Sequence, residues 1–338
     1  MKVRVVVSLV TYNSAPYLEP CLTSLESQTL TGLDIRLWDN ASRDDTLEIA
    51  GRHRSLFTEI HASDENAGFC GAHNRIIAST SSDFVLVVNP DVKLAPDFVE
   101  KLVGALEADP AAGSATGKLF RWSPDRTTAA ELLEKPLLDT TGMYFTRNQR
   151  HLDRGAGRPD HGQYDRLEYV FGASGAAALY RRSMLEDVKV GGGYFDEAFF
   201  AYREDADLAW RAQWLGWRCL YVPDATGHHV RFVTPERRSS LPPDINMHSF
   251  KNRFLLRIRN MDMGTYARYF LPITARDIAA LAYILLREQR SLRACPLFMK
   301  AFPGAWAARR ELFRRRRVTG REMRSWFSDD PVSKPVIK

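Results

Sequence analysis

"DFVLVVNPD", residues Asp83–Asp91, is the stretch that decides the fold. Its apolar core, Phe84 to Val88, is too short for a helix and fits a strand buried on both faces, the signature of a parallel sheet. Asn89-Pro90 ends regular pairing in a turn, and Asp91 follows at the carboxyl end of that strand. In open α/β sheets that end is where ligands bind.

The same grammar repeats on either side. Val3 to Val10 is a β-branched run that reads as a buried strand, and after the Thr11-Tyr12-Asn13-Ser14 turn, "APYLEPCLTSLESQ" puts Leu18, Cys21, Leu22 and Leu25 at helical spacing. "DIRLWDN" predicts a short strand ending at Asp39, and "SRDDTLEIAGRH" a helix capped by Ser42. "FTEIHAS" is a third strand, "NAGFCGAHNRIIAST" a loop leading into a helix, and "APDFVEKLVGALEADP" a helix closed by its own Asp-Pro. Strand and helix alternate four times in about 110 residues, which indicates α/β architecture with a mostly parallel sheet flanked by helices.

Residues 120–168, rich in Arg, Asp, Gly and Pro, lack periodicity and read as excursions around a site. "YVFGASGAAALYRRSML" predicts a strand leading into a helix, "GGGYFDEAFFAYREDADLAWRAQWLGW" a Gly-rich loop and a helix starting near Glu204, and "RCLYVPDATGHHV" a strand with a Pro break. From about residue 265 the pattern is helical, punctuated by Pro272, Pro296 and Pro303.

A chain of 338 residues with 45% hydrophobic and 26% charged composition can bury a full core. Cys21, Cys70, Cys219 and Cys295 form no C-x-x-C pair, which argues against a zinc site or disulfide scaffold and predicts inert core thiols in a reducing compartment. The amino terminus runs straight into the first strand and does not read as a targeting segment. The longest apolar run, Ile278 to Leu286, has nine residues against the ~20 a spanning helix requires. Net charge is +6, but residues 250–338 hold 20 Lys+Arg and 7 Asp+Glu, so the balance is +13 there and −7 over the first 249. The two parts face different surroundings.

Polar turns at the four strand ends, Thr11-Tyr12-Asn13, Asp39-Asn40, Asn66-Ala67-Gly68-Phe69 and Asn89-Pro90-Asp91, converge on one edge of such a sheet and line a small-ligand crevice. No G-x-G-x-x-G follows the first strand and no P-loop motif occurs, which argues against dinucleotide and P-loop phosphate binding. Plainer readings stand beside this one. Asp39-Asn40 fits a helix cap, Asp91 a strand terminus, Glu204-Asp205-Ala206-Asp207 the acids of a helix first turn, and His228 and His229 ordinary histidines.

Taken in order, "VVSLVTYNSAPYLEPCLTSLESQ", "LWDNASRDDT", "ENAGFCGAHN", "LVVNPDV", "GYFDEAFFAYREDADLAWRAQWLGW" and "VPDATGHH" resemble family 2 glycosyltransferases, inverting enzymes with a GT-A fold, and within them the rhamnosyltransferase-like branch of bacterial surface polysaccharide synthesis. The resemblance covers about residues 3–260. It implies a catalytic domain over 1–260, with a nucleotide-sugar-binding half at 1–118 and an acceptor-binding half at 119–260, and leaves 261–338 as a basic helical extension. It further implies that Asp91 holds Mg²⁺ or Mn²⁺ against the donor diphosphate, with Asn89 supporting the site and His229, favoured over His228 by strand alternation, completing the metal shell. Asp39 would hydrogen-bond the base, with Thr11, Tyr12, Asn13, Asn66, Phe69 and Asn74 around it, which points to a UDP- or dTDP-sugar. Glu204-Asp205 matches the family's "ED" pair, Asp205 acting as general base toward the acceptor hydroxyl.

Further carry-overs are Gly172 to Gly175 beside the acceptor and Lys251-Asn252-Arg253 over the diphosphate. Asp207 and Arg211, at i and i+4, read as a structural ion pair. Rhamnose is the first expectation for the donor sugar, and a glycan or lipid-linked saccharide for the acceptor.

The basic helices after residue 265 read as a peripheral anchor to the cytoplasmic face of the inner membrane, suiting a cytoplasmic enzyme with a lipid-linked acceptor. A solvated charge run and an oligomerisation arm are the alternatives; nucleic-acid binding is not expected, since the aromatics fit helical packing. Two rival functions remain open at this point, a sugar nucleotidyltransferase on a similar fold and a membrane- or nucleic-acid-binding protein whose tail is the active part. The first would carry a Gly-rich basic loop after the opening strand, which "TYNSAPYLEP" lacks.

Overall fold

A computed structural model describes residues 4–122, 136–231 and 243–336. β1 (Val5–Thr11), β2 (Asp34–Asp39), β3 (Glu59–Ala62) and β4 (Phe84–Val88) alternate with α1 (Ala15–Glu26), α2 (Thr46–Arg52) and α3 (Gly68–Ala78). The four strands lie in the order β3-β2-β1-β4, all parallel, because each helix carries the chain back along the sheet. Every side chain of β4 is buried, the two-sided burial that its unbroken apolar run requires. Register sets Thr11 beside Asp39, Asp39 beside Ala62 and Leu9 beside Val88, so the polar turns emerge along one edge.

Beyond β4 come β5 (Val92–Leu94), α4 (Phe98–Ala108), β6 (Ala112–Arg121), β7 (Leu138–Thr140), β8 (Met143–Phe145), β9 (His151–Asp153), β10 (Glu168–Val170), β11 (Ala177–Arg181), α5 (Arg182–Asp187), α6 (Glu204–Trp214) and β12 (Arg218–His229). β11 inserts antiparallel between β4 and β6, and β12 runs parallel to β6, giving a mixed eleven-stranded sheet. Gly117 of β6 is required where β12 bulges, since a Cβ there would stand 2.2 Å from the Ala225 carbonyl oxygen. The Pro223 break is that bulge, and the strand resumes beyond it through His229.

The carboxyl-terminal part adds α7 (Pro243–Asn260), α8 (Met263–Arg268), α9 (Phe270–Arg287), α10 (Ala294–Arg315), α11 (Gly320–Arg324) and β13 (Lys334–Pro335). Its end returns to the sheet. β13 pairs with β10, and Phe327 packs 5.3 Å from the Trp210 ring and 6.0 Å from Phe145. Among the described residues no helix is long and apolar enough to cross a membrane.

Several local expectations change. Ser42 does not cap α2, which starts at Thr46 after Asp45, because its hydroxyl is drawn to Asp39. Residues 136–168 hold short strands between their turns, since β7 and β10 pair with β6 and β12 while β8 and β9 form a local hairpin; residues 123–135 of that stretch, Val3 of the first strand and residues 232–242 of the acceptor half lie outside the described residues. Pro272 and Pro296 open helices instead of closing them, as first-turn prolines lose no intrahelical bond, and Pro303 lies inside α10. Cys21, Cys70 and Cys219 are buried, with thiols pushed up by burial, but Cys295 is exposed.

Candidate active site at the strand ends

The loops after β1 and β2 interlock. Asp39 is fully buried, and its Oδ1 accepts hydrogen bonds from the Thr11 (2.8 Å) and Ser42 (2.5 Å) hydroxyls while Oδ2 accepts from the Ser42 amide (2.8 Å). A carboxylate offers about four acceptor sites, so one remains for a further donor. Asn13 and Ala41 take left-handed backbone, and the Asn13 side-chain oxygen accepts from the Arg43 amide at 2.8 Å. Asn40 links this turn to the start of α3, accepting from Ala67 N at 3.2 Å and donating to the Gly68 carbonyl at 3.3 Å. Tyr12, 54% exposed, is the aromatic face that this corner leaves open to a ligand.

Asn66, Phe69 and Asn74 divide differently. Asn66 caps the Gly68 amide at 2.8 Å at the crevice edge. Phe69 packs edge-on to His73 and Phe195, and Asn74 exchanges both amide hydrogen bonds with the Phe195 backbone at 2.8 and 2.9 Å. Asn74 also donates to the Glu197 carboxylate at 3.3 Å, so it ties α3 to the loop before α6 and its amide is spent within the protein.

On the other side of the crevice, Asp91 and His229 meet. The Nε2 of His229 lies 3.5 Å from Oδ1 of Asp91, too far for a good hydrogen bond, and that carboxylate oxygen is buried with no other partner among the described residues. Nδ1–H of His229 donates to the buried Asp139 at 2.7 Å, and Asp139 also accepts from Arg231, which bridges to Asp153 at 2.7 Å. Burial opposes a charged imidazole, but Asp91 and Asp139 outweigh it and hold His229 up to about 10. Burial works against the Asp139 carboxylate as well, yet His229 and Arg231 bring it down to about 2. His228 is exposed and turns to the opposite face beside Phe120, as strand alternation demands. Asn89 contributes its carbonyl oxygen to Val92 N and Cys21 Sγ, fixing the turn.

An oxygen without a partner beside a ring nitrogen, whose far side is locked by a carboxylate, is the donor set of a divalent cation with an outer-shell support. Among the described residues no group of three or more His, Cys, Asp and Glu side chains gathers as a complete cage. Asp91 and His229 fit a cation that takes its remaining ligands from elsewhere.

The third cluster is built on α6. Phe200, Tyr202 and Arg203 all have left-handed backbone, with φ of +66°, +70° and +73°, immediately before Glu204 and Asp205. Asn252 of α7 holds this loop by donating from Nδ2 to the carbonyls of Phe199 (2.9 Å), Ala201 (2.8 Å) and Tyr202 (2.7 Å), and Lys251 donates to the Ala198 carbonyl. The expectation that Lys251-Asn252-Arg253 covers the diphosphate is thus corrected for its first two residues, which are buried in this clamp. Asp205 accepts from the Gly175 amide at 3.0 Å and from its neighbour Ala206 N at 2.7 Å. Gly172 is compelled by packing, since a Cβ there would stand 2.3 Å from that of Ala209 on α6. Glu204 is buried, and burial followed by the Asp205 charge pushes its carboxyl well above the usual range. The Asp207–Arg211 ion pair is present at 2.8 Å and widened by Arg259 at 2.9 Å and Asn260 at 2.7 Å.

Of the residues singled out in the sequence, Thr11, Tyr12, Asn13, Asp39 and Asn66 gather at one end of the crevice, Asn89, Asp91 and His229 at another, and Glu204 and Asp205 lead α6. Asp139, Arg231, Ser42 and the clamp role of Asn252 were missed. Asp139 carries no local signal, because β7 is three residues long and is defined only by pairing with β6.

A family model described as Glycosyl transferase family 2 matches residues 6–189. The N-acetylglucosaminyl-diphospho-decaprenol L-rhamnosyltransferase of Mycobacterium tuberculosis is 34% identical over 235 residues, 65% of this chain and 74% of that protein. In fold, the chain resembles residues 1–349 of S. aureus TarS, solved in complex with UDP-GlcNAc, at a TM-score of 0.55 and 17% identity over 99% of this chain and 100% of that one; it spans 49% of a longer TarS chain. It also resembles the mannosyltransferase PcManGT from Pyrobaculum calidifontis, solved with GDP-Man and Mn²⁺, at a TM-score of 0.50 and 20% identity over 90% of this chain and 76% of that one.

Proposed function

The chain belongs to glycosyl transferase family 2 and is a sugar-transferring enzyme with the GT-A fold, and we propose that it moves a sugar from a nucleotide donor to an acceptor hydroxyl with inversion. The nucleotide lies over the crevice formed by β1, β2 and β4, with Tyr12 against the base and the open acceptor site of Asp39 toward an imide N–H, which favours UDP or dTDP. Asp205 accepts the proton of the acceptor hydroxyl as its oxygen bonds the anomeric carbon. The bond from that carbon to the phosphate oxygen breaks, and the nucleoside diphosphate leaves with the electron pair. A base in reach of the nucleophile contributes about 10²–10⁴-fold in rate. The Gly175 amide, donating to Asp205, orients the carboxylate for that task.

Asp91 and His229 would hold Mg²⁺ or Mn²⁺, which neutralises charge on the leaving diphosphate. The observation that carries the reading is Asp91 Oδ1, buried without a hydrogen-bond partner and 3.5 Å from a histidine that Asp139 locks from behind. Mn²⁺ in the PcManGT complex supports it. The donor sugar is rhamnose, in line with the activity named for the M. tuberculosis relative, and the acceptor is a lipid-linked saccharide in surface polysaccharide synthesis.

The enzyme works on the cytoplasmic face of the inner membrane. Among the described residues, fourteen of the seventeen large hydrophobic side chains that stand exposed fall between Met263 and Trp306, on helices that also carry Arg287, Arg290, Arg293 and Lys300. Part of the basic tail has other employment, since Arg315 and Arg317 pair with Asp187 and Arg309 donates to the Ile258 and Met261 carbonyls.

Calorimetry of UDP, dTDP and GDP with and without Mn²⁺, on wild type, Asp91→Ala and Asp205→Asn, tests the whole. A pyrimidine nucleotide should bind with Mn²⁺, weakly to Asp91→Ala and normally to Asp205→Asn, which should lack turnover. Absence of nucleotide binding by wild type would refute the reading.

A further inference from the structure

Five arginines from four segments share one electrostatic neighbourhood, joined by Arg276 to the turn that carries Arg150 and by the Arg257–Asp277 pair to α7. Arg150 comes from the turn between β8 and β9, Arg203 directly precedes α6, Arg253 and Arg257 lie one turn apart on α7, and Arg276 belongs to α9. Burial, and then the charges of Arg253, Arg203, Arg150 and Arg257, push the Arg276 guanidinium down to about 8. Arg276 is held in that company by donating to the Asn148 and Gln149 carbonyls at 3.2 and 3.0 Å, Arg203 reaches the Ser249 carbonyl at 3.4 Å, and Arg257 pairs with Asp277 at 2.6 Å. Like charges gathered from four segments repel, and an anion among them relieves the repulsion.

The turn carrying Arg150 adds an independent sign. Gln149 is 2% exposed, has left-handed backbone at φ +63°, and neither its amide nitrogen nor its oxygen has a partner among the described residues. Nε2 of His151 is likewise buried and unpartnered, and its ring lies in the fields of both Asp205 and Arg203. A buried amide with donor and acceptor both unused marks a place completed by a ligand. Apolar surface lies on the same helix. Leu271 and Ile278, seven residues apart and so on one face of α9, are 77% and 62% exposed, and Arg276 lies on a different face of that helix.

We propose that Arg150, Arg203, Arg253, Arg257 and Arg276, with Gln149, seat the phosphate or diphosphate group of a lipid-linked acceptor and so bring its sugar to Asp205. This rests on the glycosyltransferase reading. The donor diphosphate belongs with Asp91 and His229, whereas Arg203 directly precedes the Glu204-Asp205 pair that must meet the acceptor. Guanidinium forks match phosphate oxygens two at a time, which a lysine cluster would not do.

Calorimetry with farnesyl diphosphate as the probe tests the seat, on wild type, Arg276→Gln and the exposed Arg150→Gln, with thermal melts to verify folding. Farnesyl diphosphate should bind wild type at least tenfold more tightly than farnesol. Each variant should raise its Kd at least tenfold, while the Kd for UDP or dTDP with Mn²⁺ changes less than twofold. Unchanged Kd in both variants overturns the proposal, as does displacement of the probe by UDP, which would assign it to the donor crevice. Equal competition by dioctanoyl phosphatidylglycerol assigns the seat to a bilayer headgroup and also overturns it. Loss of nucleotide binding by wild type is a different failure, that of the enzyme reading itself.

Discussion

Replacing Asn252 by Ala removes the clamp on the loop that presents Asp205. The Nδ2 group has two hydrogens and serves three carbonyls, those of Phe199, Ala201 and Tyr202, so one hydrogen is shared. A buried polar group left unsatisfied costs roughly 1–3 kcal/mol, and two hydrogens' worth comes to about 2–4 kcal/mol after partial rehydration. The strain held in the loop is at least as large, about 3–9 kcal/mol over its three residues. Phe200, Tyr202 and Arg203 are left-handed, and such residues cost about 1–3 kcal/mol each and persist only where their surroundings impose them. The loop should therefore relax locally while the sheet stays folded. Turnover, followed as nucleoside diphosphate release, should fall about 30- to 700-fold at ~1.4 kcal/mol per tenfold, and amide exchange in residues 199–206 should quicken by a similar factor. Nucleotide affinity should hold, since Asp39 and Asp91 are built on other elements. Turnover within threefold of wild type, with unchanged exchange protection, would refute the clamp.

Asp139→Asn keeps the shape behind His229 but removes its charge, so Mn²⁺ affinity measured by calorimetry in the presence of UDP should weaken about 10–100-fold; equal affinity in both proteins would rule out the supporting role. Glu204 has a folded pKa raised well above 4.5 by burial and by Asp205, so its favourable contribution is complete below the unfolded value and is lost as pH rises through the folded one. Glu204→Gln should accordingly gain Tm relative to wild type between pH 5 and pH 8, with a slope of at most about 1.4 kcal/mol per pH unit, and a constant Tm difference would contradict it. Leu271→Ser combined with Leu286→Ser, two side chains each 77% exposed, should lower partitioning onto phosphatidylglycerol vesicles at least tenfold with little change in Tm. Undiminished co-sedimentation would sink the membrane face.

The parallel half of the sheet was legible because strands buried on both faces must be continuously apolar, and "FVLVV" admits little else. The start of α6 at Glu204 was equally clear from its acidic first turn. Asp91, Asp205 and His229 could be singled out because they terminate or begin regular elements, where chain geometry fixes direction. What escaped was long-range. Asp139 acquires its role only through a bond to a side chain 90 residues on, and Asn252 by reaching back 50 residues or more to a loop without periodicity. Ser42 looked like a cap because the sequence does not reveal that Ala41 turns left-handed and swings it onto Asp39. The prolines of the tail were read as punctuation, since position within a helix, which makes Pro272 and Pro296 harmless, is invisible until the helix start is known.

The helices from α8 to α10 are fastened to the enzyme at both ends, by Arg276 on the Asn148 and Gln149 carbonyls and the Arg257–Asp277 pair toward the start, and by Arg309 on the Ile258 and Met261 carbonyls, with Phe327 and the β13–β10 pairing beyond, toward the finish. They form a bracket rather than a leash. A leash would let the site sweep the space above a bilayer and meet saccharides of any length. On the proposed membrane face, a bracket would set one standoff height, and a glycan would be reached when its terminal hydroxyl stands at that height. Mounted that way, an enzyme that adds one sugar would lift the new terminus out of its own reach.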